Sequence, residues 1–86
     1  MENKILVNLI MPELDSNFDV FIPVNELVWK VVKLSIKSIS DLTTINLDMG
    51  KDYILINKNS GIIYKNNDVI INTDIRNGSE LILFSK

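Results

Sequence analysis

The sequence predicts an α+β domain in which a mixed sheet of four to five strands packs against one helix. Three observations carry that expectation. Apolar residues alternate with period two from Lys4 to Met11 and again from Phe18 to Ile22. From about Glu26 to Ser40 the period becomes helical, with Val28, Val31, Val32, Ser35 and Ile39 on one side and Leu27 and Ile36 beside them. Short apolar runs separated by turn residues then lead to Ser79-Glu80-Leu81-Ile82-Leu83-Phe84, which reads as a last strand. At 86 residues the chain is expected to form one domain over 1–86, large enough for one core and too small for a deep cleft.

In the first strand Asn8 marks the wet phase. Leu6, Asn8 and Ile10 therefore point outward, and Ile5, Val7, Leu9 and Met11 point to the core. Pro12 to Asn17 is rich in residues that break regular structure and reads as a turn, which makes the first two strands a hairpin. In the second strand Phe18, Val20 and Ile22 share one face, while Asp19 and Phe21 share the other. Pro23 ends that strand because it cannot donate to the ladder. Asn25 is the expected N-cap of the helix, with Glu26 in its first turn. Lys30, Lys33 and Lys37 fall opposite the apolar stripe, and Trp29 lies at its boundary. Asp41 to Asp52 reads as a long connection, and Tyr53 to Asn57 as a strand. Lys58 to Gly61 reads as a turn, Ile62 to Tyr64 as a short strand, Asn72 to Ile75 as a single helical turn, and Arg76 to Gly78 as a tight turn.

Composition narrows the function. Ile occurs 14 times and Ala is absent, which suits a β-rich core and leaves the helix to be held by packing. The net charge of −2 lacks the basic surplus that binding nucleic acid demands, so no nucleic-acid partner is expected. There is no Cys, which fits a reducing compartment. No signal peptide is visible and no apolar run approaches a membrane span, so a cytoplasmic location is the expectation.

The residues from Val69 to Phe84 resemble the closing pattern of ubiquitin-like domains: an apolar pair, a short turn around Ile75, then Asn77-Gly78-Ser79-Glu80-Leu81-Ile82-Leu83. Phe18-Asp19-Val20-Phe21-Ile22-Pro23-Val24, running straight into the helix, and Gly61-Ile62-Ile63-Tyr64 are similar to the YukD/EsaB group of small ubiquitin-like proteins of bacterial type VII secretion. The resemblance spans nearly the whole chain, and its motifs concern packing and turns. It implies a β-grasp fold with the first and last strands parallel neighbours. It also implies a cytosolic adaptor of a machine that exports small helical WXG-type proteins, acting by docking to secretion-machine components. Ubiquitin-like modifiers and sulfur carriers need a flexible tail closing in Gly-Gly. This sequence has no Gly after Gly78 and only Ser85 and Lys86 after Phe84, so covalent transfer is not expected. A modifier or sulfur carrier is one alternative, and a structural subunit that homodimerises through the sheet is another.

Catalysis is argued against by inventory. Neither His nor Cys is present to act as base or nucleophile, and no Ser-x-x-Lys occurs among the seven serines. The carboxylates Asp48 and Asp52 lie in a Gly-containing loop and read as solvated. Asn66-Asn67-Asp68 offers too few oxygens for a calcium loop, and Gly50 and Gly61 are isolated, so neither metal nor cofactor is expected.

Two surfaces remain. Leu6, Ile10, Phe21, Ile82 and Phe84 are expected on the sheet face away from the helix, where they would join as one apolar patch and an interface for a protein partner or a second copy. The bland reading is ordinary exposure of single apolar residues. Trp29 with Lys30, Lys33 and Lys37 could dock an acidic partner or an anionic surface. The alternative there is a solvated basic face with Trp29 packed onto the Asp41–Asp52 connection.

Overall fold

The computed structural model describes residues 3–48 and 50–86. Among them are β1 (Lys4–Met11), β2 (Ser16–Pro23), α1 (Val28–Thr43), β3 (Tyr53–Asn57) and β4 (Glu80–Ser85), with one-turn 3-10 helices at Pro12–Leu14 and Ile70–Asn72. The strand order is β2-β1-β4-β3. β1 runs antiparallel to β2 and parallel to β4, and β3 runs antiparallel to β4. The parallel contact pairs Asn8 with Glu80, Leu9 with Leu81 and Ile10 with Ile82. This is the arrangement that the resemblance implied.

The alternation of each strand decides its faces. Val7, Leu9 and Met11 from β1, Ile22 from β2, Leu55 from β3, and Leu81 and Leu83 from β4 are buried against the helix. Val28, Val31, Val32, Ser35, Ile36 and Ile39 of α1 meet them, as the helical period predicts. Ser35 is buried, and its small side chain lets the helix lie close to the sheet. Ile70 and Ile75 close the remaining side of the core.

The helix begins differently from expectation. Asn25 does not cap it. The N-cap is Leu27, which makes no side-chain capping bond. Instead the Val28 N–H donates to the Asp68 carbonyl at 2.8 Å, and the Trp29 N–H donates to the Asn66 carbonyl at 3.2 Å. A loop far along the chain thus satisfies the first free donors of the helix. At the other end Thr43 Oγ1 bonds back to the Ile39 carbonyl at 2.7 Å, and Thr44 takes a left-handed φ of 58°, stopping the helix three residues beyond the expected Ser40.

Three smaller differences from the expectation concern Ile62–Tyr64, the single helical turn and the start of β2. Ile62 to Tyr64 is not a strand. It touches β3 through an isolated bridge between Ile56 and Ile63, with the Asn57 N–H on the Ile62 carbonyl and the Tyr64 N–H on the Leu55 carbonyl. The single helical turn lies at Ile70–Asn72, two residues earlier than expected. It is set there by the Ile70 and Ile71 N–H groups, which donate to the Glu26 and Val24 carbonyls. β2 starts at Ser16 rather than Phe18, because Asp15 adopts a left-handed φ of 49° and reverses the chain sooner.

Candidate functional site

The outer face of the sheet is built by the residues between the core positions. Register places Phe21 of β2 opposite Leu6 of β1. Ile10 is paired with Ile82, Ile82 with Ile56, and Phe84 with Ile54. Phe21 is 68% exposed, while Leu6, Ile10, Ile82, Phe84, Ile54 and Ile56 are half-buried. All five predicted residues therefore lie on the face away from the helix.

They do not form one patch. A polar row crosses the sheet between them. Asn8 Nδ2 donates to Asp19 Oδ1 at 3.0 Å and to Asn17 Oδ1 at 3.2 Å, and on the other side of β1 the Lys58 ammonium lies 3.5 Å from the Glu80 carboxylate. Leu6 and Phe21 sit on one side of that row. There the β1–β4 pairing has stopped, and the turn before β4 takes over: the Leu6 N–H donates to Asn77 Oδ1 at 2.8 Å, and the Gly78 N–H donates to the Leu6 carbonyl at 2.7 Å. Gly78 can serve there because its φ is 90°, a conformation that L side chains rarely adopt. On the other side Ile10, Ile82 and Phe84 are joined by Ile54 and Ile56 of β3. Those two isoleucines were missed in the sequence. The period-two signal within Tyr53–Asn57 was there, but assigning a face needed the register with β4.

The helix edge is rearranged more deeply. Trp29 is 40% exposed, and Lys33 Nζ lies over its ring, 5.8 Å from the centroid. Lys30 is turned to Glu26 at 3.7 Å, one helical turn back. Lys37 is exposed. Trp29, Val32, Lys33 and Ile36 form one wall of a groove of about 250 Å³, whose other wall is Lys51, Asp52, Tyr53, Asn66 and Lys86. Thus Trp29 meets the end of the Asp41–Asp52 connection and β3 across a gap. Burial pushes the Tyr53 hydroxyl above its usual range, assisted by the charges of Glu13 and Asp48.

The buried polar groups serve the fold. Asn57 Nδ2 donates to Tyr64 Oη at 3.1 Å, and its Oδ1 accepts the N–H groups of Asn59 and Ser60, which fixes the turn after β3. The Tyr64 hydroxyl donates to the Asp74 carboxylate. Burial, then that bond, pushes Tyr64 up to about 12, while the same bond holds Asp74 below its usual range. Asp48 Oδ1 accepts the Gly50 N–H at 2.8 Å, a turn-forming role. Among the described residues no three acidic side chains gather as a metal site would require, and no helix is long and apolar enough to cross a membrane.

No family model matches the chain, and no curated protein sequence matches it. Solved structures do. A chain of the MycP5-free ESX-5 inner membrane complex superposes with a TM-score of 0.79 at 11% identity, covering 99% of this chain and 21% of that one. The ubiquitin-like domain of Plasmodium falciparum Dsk2 gives 0.73 at 17% identity, covering 96% and 99%. A chain of the toluene 4-monooxygenase HD complex gives 0.75 at 7% identity, covering 96% and 99%. The chain has the ubiquitin-like β-grasp fold. It spans about a fifth of the secretion-complex chain that it matches. At these identities the likeness is one of fold.

Proposed function

We propose that this protein is a non-conjugated, non-enzymatic ubiquitin-like adaptor of a type VII secretion machine, working in the cytoplasm by docking proteins on the outer face of its sheet. The observation that carries the docking reading is Phe21, 68% exposed beside Leu6 on a face that the core does not use. An aromatic ring left in water forgoes roughly 1.5–3 kcal/mol that a partner could recover, and large exposed side chains of this kind anchor interfaces. The second cluster, Ile10, Ile82, Phe84, Ile54 and Ile56, supplies a neighbouring apolar footing across the polar row. The row itself offers Asp19, Asn8, Glu80 and Lys58 for fixing register with a partner. The secretion assignment draws its support from the resemblance of residues 18–24 and 61–64 to the YukD/EsaB group and from the fold likeness to a chain of the ESX-5 inner membrane complex.

The experiment is sedimentation velocity on the purified chain, alone and mixed with the secretion ATPase and membrane subunits encoded in the same organism. A mixed complex that is lost with Phe21→Ser supports the proposal. A homodimer that fails to bind those subunits favours the self-associating subunit. A covalent adduct in the intact mass after incubation with cell extract favours a modifier or sulfur carrier.

A further inference from the structure

The helix-edge groove is a different surface, on the opposite side of the sheet from the docking face. Its lining contains three lysines, Lys33, Lys51 and Lys86, and one carboxylate, Asp52. The protein as a whole carries a net charge of −2, so the groove concentrates positive charge on an acidic molecule. Among the described residues the ion pairs are Lys30 with Glu26 and Lys58 with Glu80, so none of the three groove lysines forms an ion pair at contact distance, although the charge of Lys51 also reaches the Glu13 carboxylate. Lys33 is held over the Trp29 ring, which orients its ammonium without neutralising it. The buried Val32 and Ile36 line the groove together with the larger rings of Trp29 and Tyr53, which gives it an apolar component beside its charged one.

We propose that this groove binds an acidic peptide segment, one large apolar side chain of which enters between Trp29 and Tyr53 while flanking carboxylates meet Lys33, Lys51 and Lys86. Size and shape favour a peptide over other anions. The cavity of about 250 Å³ lies below the roughly 300–1,000 Å³ of small-molecule sites and suits a single anchoring side chain. The three lysines come from the helix, the connection before β3 and the residue following β4, so the charge converges on the groove from separate elements rather than lining one solvated helix face.

Trp29 is the single tryptophan of the chain, so its emission reports on the groove directly. The probe is a synthetic peptide of Asp and Glu residues around a central Phe, without Trp, titrated into the full chain. A saturable change in Trp29 emission that weakens as salt is raised is the expected result. Lys33→Glu and Lys51→Glu are expected to weaken binding by about fivefold or more each, whereas Lys4→Glu, the same charge change at the exposed start of β1, leaves it within about twofold. All three lysines are exposed, and circular dichroism verifies that each variant is folded. The proposal is overturned by any of three results: no saturable change; equal binding by the Lys33→Glu, Lys51→Glu double variant or of the Asn/Gln version of the peptide; or anionic vesicles or an oligonucleotide acting at lower concentration than the peptide.

Discussion

The two faces of one sheet are built from alternate residues of the same strands, yet they differ in continuity. On the inner face Val7, Leu9, Leu55, Leu81 and Leu83 are all buried in an apolar layer, and the polar Asn57 lies only at its margin, at the end of β3 with its amide hydrogen-bonded. On the outer face Asn8, Asp19, Glu80 and Lys58 interrupt the apolar residues. The inner face has only to exclude water, and any well-packed apolar set does that. An outer face left apolar throughout would associate without discrimination, and a polar row restricts which partners can cover it. In the proposed reading, stability and recognition are thereby separated onto residues one position apart.

The largest effect that would break this comparison is at the inner face. Leu81→Ala removes a fully buried side chain facing the helix and is expected to destabilise the domain by about 2–5 kcal/mol in urea unfolding. A loss below about 1 kcal/mol would mean that the inner layer repacks freely and is not what holds the fold. Next is Tyr64→Phe, which leaves the Asn57 amide and the Asp74 carboxylate without the phenol and should cost about 1–2 kcal/mol. It should act without altering the outer face.

The same bond sets a dependence on pH. Asp74 titrates below its unfolded value when folded, so its contribution is present above that unfolded value and is lost as pH falls through the lowered folded one. Glu13, whose carboxylate accepts the Ser85 N–H at 2.7 Å, behaves alike. Tyr64, raised from 10.0 to about 12, contributes fully below 10 and loses its contribution as pH rises towards 12. Urea midpoints measured across pH should therefore fall at both extremes, and Tyr64→Phe should flatten the Asp74 part of the acid limb while the Glu13 part persists.

The phases of β1 and β2 were legible because a period of two within a strand leaves only two choices, and Asn8 and Asp19 settled them. The buried stripe of the helix was legible for the same kind of reason. What the sequence did not disclose came from contacts between distant segments. The helix start is set by carbonyls of Asn66 and Asp68, not by Asn25, so no local capping signal could have located it. The outer patch is divided by the Asn8–Asp19 pair together with Glu80 and Lys58, and those last two join the row only because β4 begins opposite Asn8, which is a matter of register. The groove joins Trp29 to Lys51 and Lys86, residues whose proximity only the closed sheet creates.

The smallest expected effect on stability is at Phe21, and it gives the most direct test of the separation between the faces. Urea unfolding of Phe21→Ser should give a free energy within about 0.5 kcal/mol of the parent protein, since the ring is 68% exposed and Phe21 is not one of the buried core residues. In sedimentation without urea, the proposed complex with the secretion subunits should weaken at least about tenfold, the equivalent of about 1.4 kcal/mol. Unfolding comparable to that of Leu81→Ala, or binding left unchanged, would contradict the assignment of stability to one face of the sheet and recognition to the other.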